Sequence, residues 1–124
     1  MFLNAAAVFF GGAFGAMFRF LISEIFPLSR FGIPITIMLV NFIGCFLMGL
    51  ADGFFEKFSL QSHYRHFFTV GLLGGFTTFS TFSLEFANLI RSGHFINGAI
   101  YAAVSVITAL IGFWLGYSLI KGAL

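Results

Sequence analysis

Four long apolar windows limit what this chain of 124 residues can fold into. Each window holds the roughly 20 mainly apolar residues that a helix needs to cross a bilayer. Hydrophobic residues make up 60% of the chain and charged residues only 8%, whereas about a quarter of a globular domain is charged. The windows cover residues 5–26, 32–55, 67–90 and 95–120. We therefore predict an all-α, multi-pass membrane protein whose residues 1–124 form a single four-helix transmembrane domain.

The basic residues are divided evenly between the two ends of the predicted bundle. Short connections make neighbouring helices antiparallel, and an even number of spans brings both termini to one side. The basic residues are Lys57, Arg65 and Lys121 on that side and Arg30, Arg91 and Arg19 toward the other. A bias of Lys and Arg across short loops normally fixes orientation in the membrane. The balance found here permits dual topology and an antiparallel homodimer, and no basic cluster points to nucleic acid as a partner.

The third window contains a stretch that ordinary membrane helices avoid. Gly71, Gly74 and Gly75 weaken the helix, because glycine lacks a Cβ and costs about 1 kcal/mol relative to alanine. The polar side chains that follow are Thr77, Thr78, Ser80, Thr81, Ser83 and Glu85. Backbone freed at membrane depth is tolerated only where protein buries it or where it lines a wet cavity. We therefore predict a third helix that is broken in mid-membrane beside a path for a polar solute.

Aromatic rings and one amide offer substitute solvation for an anion in this region. A helix resumed from Phe79 onward places Phe79 and Phe82 on one stripe. Ring edges carry partial positive charge, so rings presented edge-on attract a small anion without a formal charge. The Asn41 amide, deep in the second window, either bonds a neighbouring helix or donates to the anion. The alternative to a pore is a Phe-rich packing face with self-satisfied hydroxyls.

Other polar side chains lie within the apolar windows. Arg19 either reaches the membrane interface or faces a polar interior, because an arginine at that depth costs a few kcal/mol. Tyr101, Ser105 and Thr108 can share one face of the fourth window. We expect the Ser and Thr hydroxyls of this face to bond their own backbone.

The predicted break also exposes backbone carbonyls. In an antiparallel dimer, the breaks of two copies meet at the twofold axis. The carbonyls of Gly74 and Thr77 would then form an oxygen cage suited to a hard cation.

Three motifs are similar to the signature of the Fluc/CrcB family of fluoride channels. They are residues 11–19 (GGAFGAMFR), 40–44 (VNFIG) and 74–82 (GGFTTFSTF). The resemblance covers the whole chain in length, number of spans and order of motifs, and the third motif is highly specific. It implies an antiparallel dual-topology homodimer with two fluoride pathways, which exports fluoride passively from the cytoplasm across a bacterial cell membrane.

The resemblance also implies roles for individual residues. The paired phenylalanines correspond to Phe79 and Phe82, the pore asparagine to Asn41 and the vestibule arginine to Arg19. The polar track beyond the phenylalanines corresponds to Ser80, Thr81 and Ser83, with Glu85 close by. A structural Na⁺ at the dimer interface is implied on the backbone carbonyls of Gly74 and Thr77.

The chain departs from the family pattern at the start of the second span. The family usually has Gly-Thr five and four residues before the asparagine, whereas this chain has Thr36 and Ile37 there. A shift of one residue turns a helical side chain by about 100°. The hydroxyl is therefore displaced from the family's position.

Two other functions stay open on the sequence. A small proton-coupled multidrug exporter can also be a four-helix dual-topology dimer, and Glu85 would be its membrane-embedded carboxylate. A non-transporting membrane subunit would only pack against partners. An enzyme is not expected, because the sequence offers no nucleophile with its base, no paired carboxylates and no metal-ligand cluster.

Overall fold

The computed structural model describes residues 1–122, which are mostly helical. Helical stretches long and apolar enough to cross a membrane are Phe2–Ile25, Thr36–Lys57, Ser62–Arg91 and Phe95–Lys121. They coincide with the predicted windows apart from a few residues at each end, so the prediction of a helical protein with four spans is confirmed. The predicted single domain also includes residues 123 and 124, which lie outside the described residues. That domain assignment stays a prediction.

The chain forms α1, a short hairpin, α2, a composite third segment and α6. The elements are α1 (Phe2–Ile25), β1 (Ser29–Arg30), β2 (Ile33–Pro34), α2 (Thr36–Lys57), α3 (Ser62–His66), a π-helix (Phe67–Leu73), α4 (Gly74–Phe76), α5 (Ser80–Arg91) and α6 (Phe95–Lys121). The hairpin pairs Ser29 with Pro34 and Arg30 with Ile33. The hairpin and the π-helix are features that apolar windows do not predict.

The backbone conformation of the third segment changes four times before the segment ends at Arg91. Its first part is α-helical and then π-helical, and α4 adds a single turn. The helix stops at Thr77, whose φ of −79° and ψ of 155° are extended, and α5 begins only at Ser80. The interruption therefore falls directly after the glycines that predicted it.

Close helix pairs are made through glycines. α1 runs parallel to the third segment, where Gly15 lies against Leu72 and Phe76. α2 runs parallel to α6, where Gly116 lies against Phe46 and Leu50. Small residues let membrane helices approach closely, which is the main source of association when lipid removes the hydrophobic driving force.

The displaced Thr36 hydroxyl belongs to the first connection. Thr36 Oγ1 donates to the carbonyl of Phe26 at 2.6 Å and accepts from the amide of Leu28 at 2.7 Å. The next residue, Ile37, packs in a buried cluster with Phe82 and Tyr101. In this chain the hydroxyl therefore fixes the connection between α1 and α2, and an apolar side chain occupies the following position.

The contact of α1 with the third segment gives a stability test. A Cβ on Gly15 would press against the Leu72 carbonyl and the Phe76 amide, which are backbone atoms and yield little. We expect Gly15→Ala to lower the free energy of unfolding by about 1–3 kcal/mol, as overpacking does. Thermal unfolding in detergent, followed by size-exclusion chromatography, measures the change.

Gly12→Ala is the matched control for this test. A Cβ on Gly12 would meet only the Gly71 carbonyl oxygen, at an ordinary 3.9 Å. Equal stability of the two variants would contradict the close packing of α1 described above.

Candidate functional site

The Asn41 side chain forms hydrogen bonds with the interrupted backbone of the third segment. Its Nδ2 donates to the Thr78 carbonyl at 2.9 Å, and its Oδ1 accepts from the Thr78 amide at 2.8 Å. Both backbone groups of Thr78 are thus satisfied by one side chain of α2. The structure assigns Asn41 the helix-bonding role that the sequence left open. The Asn41 carboxamide has two N–H donors, and the bond to the Thr78 carbonyl uses one of them. The second N–H is therefore not needed for the contact with Thr78.

The Thr78 hydroxyl organises the start of α5. It accepts from the amide of Thr81 at 3.1 Å, which is the bond that a capping residue makes to the orphan amides of a helix start. It also lies 3.2 Å from Ser80 Oγ and donates to Thr81 Oγ1 at 3.3 Å. Three predicted polar residues of the break therefore form one hydroxyl cluster, with Thr78 at its centre.

The two predicted pathway rings lie together but differ in burial. The centroids of Phe79 and Phe82 are 5.3 Å apart with an interplanar angle of 58°. Phe82 is 8% exposed and packs on Tyr101 at a centroid distance of 5.3 Å, whereas Phe79 is 75% exposed. One ring is therefore fixed in the core, and the other projects from the single chain.

A cavity of about 330 Å³ opens beside the break. Its lining comes from α2, the break and α6: Asn41, Cys45, Gly74, Thr77, Thr78, Phe79, Phe82, Ser105, Val106 and Ala109. Ser105 is only 5% exposed, and its Oγ has no hydrogen-bond partner within residues 1–122. An unpartnered buried hydroxyl costs about 1–3 kcal/mol. The expectation that the Ser105 hydroxyl bonds its own backbone is wrong.

The Thr108 hydroxyl, unlike that of Ser105, bonds its own backbone as expected. Its Oγ1 donates to the Val104 carbonyl at 2.6 Å, one turn back along α6. Of these two hydroxyls on α6, the one of Thr108 is hydrogen-bonded and the one of Ser105 has no partner in the described chain. Only the Ser105 hydroxyl, which lines the cavity, is left available to a solute.

Glu85 pairs with a buried tyrosine that the sequence analysis did not select. Tyr101 is fully buried, and its hydroxyl donates to Glu85 Oε2 at 2.6 Å. Because Tyr101 also packs on Phe82 and lies one helical turn before Ser105, it connects the rings, the carboxylate and the cavity. The sequence offered one signal for this role of Tyr101, which is its position on the same face of α6 as Ser105.

Arg19 points toward the third segment. Its Nε donates to the Gly75 carbonyl at 3.3 Å, directly before the break, and the side chain is half-buried. Of the two alternatives left by the sequence, the polar interior is the one that this contact favours. The bond also satisfies a carbonyl that lies near the interruption of the helix.

The backbone carbonyls of Gly74 and Thr77 are free within the described chain. The Thr78 amide, which a continuous helix would direct at the Gly74 oxygen, bonds Asn41 instead. No hydrogen bond from a described residue reaches the oxygen of Gly74 or of Thr77. In residues 1–122 no group of three or more His, Cys, Asp or Glu residues could hold a metal. Carbonyl oxygens are therefore the ligands on offer at the break.

Comparison with known proteins identifies the family. The family described as "CrcB-like protein, Camphor Resistance (CrcB)" matches residues 6–117. The chain belongs to the CrcB family. This confirms the resemblance of the three motifs, and the four apolar spans make the chain a multi-pass bacterial membrane protein.

Curated relatives of this CrcB chain carry one functional name. The "fluoride-specific ion channel FluC" of Francisella philomiragia is 39% identical over 117 residues, covering 90% of each chain. The protein of the same name from Ruminiclostridium cellulolyticum is 39% identical over 121 residues, covering 96% of this chain and 93% of its own. In Pseudoalteromonas translucida the figures are 39% over 112 residues, 89% and 93%. These names describe ion channels and not enzymes.

The predicted site residues of the CrcB chain divide into two sets. Those that line the cavity are Asn41, Phe79, Phe82, Gly74 and Thr77. Those that lie outside its described lining are Arg19, Ser80, Thr81, Ser83 and Glu85. Ser83 is exposed on the first turn of α5, next to the buried Phe82. Five of the predicted site residues thus line one cavity, together with Ser105, to which the sequence analysis gave no role in the site.

Two replacements of Asn41 test its two hydrogen bonds to Thr78 separately. Asn41→Leu removes both partners of Thr78, so we expect the Thr78 amide to exchange with solvent at least about tenfold faster, since each lost bond costs about 1 kcal/mol or more. Asn41→Asp keeps the oxygen that accepts from this amide and should keep most of the protection. Hydrogen exchange with mass spectrometry in detergent measures both. Similar protection in Asn41→Leu and the unmodified protein would contradict the clamp.

Proposed function

We propose that this protein is a passive, fluoride-selective ion channel that exports fluoride from the bacterial cytoplasm. The observation that carries the proposal is the unpartnered Ser105 hydroxyl in a cavity walled by Phe79, Phe82 and Asn41. Because the Ser105 hydroxyl has no partner in the described chain, it can donate a hydrogen bond to a solute in the cavity. Relatives with 39% identity over most of the chain are named for fluoride conduction, which supports a halide as the solute.

Fluoride must exchange its water for protein groups on this route. Moving an unpaired ion into an apolar medium costs tens of kcal/mol, so each lost water needs a substitute. The second N–H of Asn41 and the Ser105 O–H supply hydrogen bonds, and the edges of Phe79 and Phe82 supply partial positive charge. None of these groups carries a formal charge. Binding is therefore weak enough for the ion to leave, as conduction requires.

Charged and hydroxyl side chains extend the route beyond the cavity. Arg19, held on the Gly75 carbonyl, places a positive charge near one approach to the break and attracts an anion. The hydroxyl cluster of Ser80 and Thr81, followed by Ser83, offers further donors along α5. The Tyr101 hydroxyl donates to Glu85, which lies two residues beyond Ser83 on α5, and so fixes the position of this side chain.

The working unit that we propose is an antiparallel homodimer with two fluoride pathways. If Arg19 within α1 is counted, three basic residues lie toward each side of the membrane, and this balance supports insertion of the chain both ways round. The exposed Phe79 ring lies at the cavity and presents a surface that a second chain can cover. An inverted partner would bring the two breaks together. Each copy would then close the cavity of the other.

A structural Na⁺ at the meeting point of the two breaks completes the proposal. The residues fit such an ion, because the carbonyl oxygens of Gly74 and Thr77 have no partner in the described chain and oxygen ligands suit a hard cation. When bound there, the cation would supply positive charge that offsets the partial negative charge of these carbonyl oxygens. The chain's own contribution is to hold these carbonyls free, through the bond from the Thr78 amide to Asn41.

A fluoride-electrode assay on liposomes tests the channel. We expect fluoride efflux from liposomes that contain the purified protein and no comparable chloride efflux. Phe79→Ile should slow fluoride efflux about tenfold or more, because losing about 1.4 kcal/mol of ion stabilisation slows a step tenfold. Phe82→Ile should act in the same direction.

Phe9→Ile controls for loss of an aromatic ring. Phe9 is exposed on α1 and does not line the cavity, so its efflux should match that of the unmodified protein. Absence of efflux from the unmodified protein would exclude the channel and leave the multidrug exporter and the non-transporting membrane subunit. Unchanged efflux in Phe79→Ile and Phe82→Ile would remove the aromatic rings from the mechanism.

A proton-coupled multidrug exporter is the second candidate, because Glu85 is a carboxylate on a membrane segment that is hydrogen-bonded to Tyr101. Glu85→Gln distinguishes the two functions, since glutamine keeps the acceptor oxygen and cannot carry the proton. A passive channel should keep fluoride efflux within a few fold of the unmodified protein and show no dependence on a proton gradient. Loss of gradient-driven drug transport in this variant would favour the exporter.

A further inference from the structure

Two apolar grooves flank a ridge on the third segment. The ridge consists of Tyr64 and Phe68, which are four residues apart and lie on one helical face. The α2 groove, about 620 Å³, separates the ridge from Leu50 and Phe54. The α1 groove, about 560 Å³, separates it from Phe10. Tyr64 and Phe68 line both grooves, so the two grooves are the two sides of one feature.

Both grooves lie on the side of the helices turned away from the candidate fluoride pathway. At about 100° per residue, Leu50 lies about 180° around α2 from Asn41. By the same measure Phe10 lies about 180° around α1 from Arg19. A partner chain that covers Phe79 and the cavity therefore leaves this side facing lipid. The occupant of the grooves is expected to come from the bilayer.

Polar and cationic side chains lie close in sequence to residues that line the grooves. His63 lines the α1 groove together with Tyr64, and Leu60 and Ile120 line the α2 groove. Lys57 and Lys121 lie in the last turns of α2 and α6, and both side chains are exposed. These helices are parallel, so their last turns are at the same side of the membrane.

Neither Lys57 nor Lys121 forms an ion pair within residues 1–122. Asp52 is engaged by Arg65 at 3.3 Å, and Glu56 is the other carboxylate of this turn of α2. With Lys57, Arg65 and Lys121 against Asp52 and Glu56, the positive charges exceed the negative. Each Lys or Arg near a membrane surface attracts anionic lipid by about 1 kcal/mol.

We propose that the grooves bind one anionic phospholipid astride the Tyr64–Phe68 ridge. One acyl chain lies in each groove, and the phosphate lies at Lys57 and Lys121. Two apolar grooves that share a wall, one of them lined by Phe55 and Ile120 within two residues of the exposed Lys57 and Lys121, match the chemistry of a two-chained lipid with a charged headgroup. The bound lipid fills the space between α2 and the π-helix, which protein side chains leave open. This site is independent of the fluoride pathway.

Native mass spectrometry tests the site on the intact protein. The protein in detergent is mixed with equal amounts of dioleoyl phosphatidylglycerol and dioleoyl phosphatidylcholine, and the retained lipid is counted per chain. We expect one phosphatidylglycerol per chain, in preference to phosphatidylcholine. Lys57→Gln with Lys121→Gln changes only exposed side chains and should weaken phosphatidylglycerol binding at least about fivefold, from the attraction of each charge.

Two further variants separate the ridge from general hydrophobicity. Tyr64→Ala with Phe68→Ala should reduce retention of both lipids, because the wall shared by the grooves is removed. Leu110→Ala with Ile111→Ala removes similar exposed apolar area from α6 outside both grooves, and should leave retention unchanged.

Three results would overturn the proposal. Equal retention of the two lipids by the unmodified protein would exclude a charge-selected headgroup. Equal loss in the ridge variant and the α6 variant would exclude a defined site. If the ridge variant instead breaks the dimer with no change in bound lipid, the grooves belong to an interface between copies of the chain. Lost fluoride efflux with retained phosphatidylglycerol would affect only the proposed function.

Discussion

The double hydrogen bond between Asn41 and Thr78 is the interaction on which the rest of the site depends. A helix broken inside a membrane leaves amides and carbonyls without partners, and lipid cannot supply them. Asn41 satisfies one donor and one acceptor at once, at 2.8 and 2.9 Å. By taking the Thr78 amide, it also releases the Gly74 carbonyl. One side chain thus stabilises the break and decides which backbone atoms remain free.

Some polar groups near the break have hydrogen-bond partners within the described chain, and one hydroxyl has none. The Thr78 hydroxyl accepts from the Thr81 amide in the first turn of α5 and is the centre of a hydroxyl cluster, and Arg19 donates to the Gly75 carbonyl. The Ser105 hydroxyl, buried and without a partner in the described chain, is the exception. Packing alone would favour alanine there, because a buried hydroxyl without a partner is a cost. Its retention in the cavity is understandable if a solute completes its bonding.

Much of the architecture could be predicted from local sequence signals. Hydropathy located the four spans, and Gly74 and Gly75 followed by threonines located the interruption, because both properties depend on composition over short windows. Asn41, Phe79 and Phe82 were selected because polarity and aromatic spacing are visible in one helix. The inverted dimer stays a prediction that rests on charge balance and the family resemblance, and its sodium ion one that rests on the carbonyls of the break and the same resemblance.

The remaining features depend on how helices are rotated against one another. Tyr101 and Glu85 are 16 residues apart and meet only because α5 and α6 pack together. A periodicity argument places Ser105 and Thr108 on one face but cannot tell which hydroxyl turns inward to a cavity. The Thr36 hydroxyl was likewise visible in sequence, while its bonds to Phe26 and Leu28 required the folded connection.

The bonds that hold the break lie within one chain, and this bears on how the assembly is made. Each copy can acquire its bent third segment as soon as α2 and α5 have inserted, without waiting for a neighbour. For the inverted dimer proposed above, assembly would then be an encounter of two folded chains diffusing in the bilayer, at a rate set by their density and by the share of chains in each orientation. Chains inserted in one orientation alone would be correctly folded and would form no such dimer.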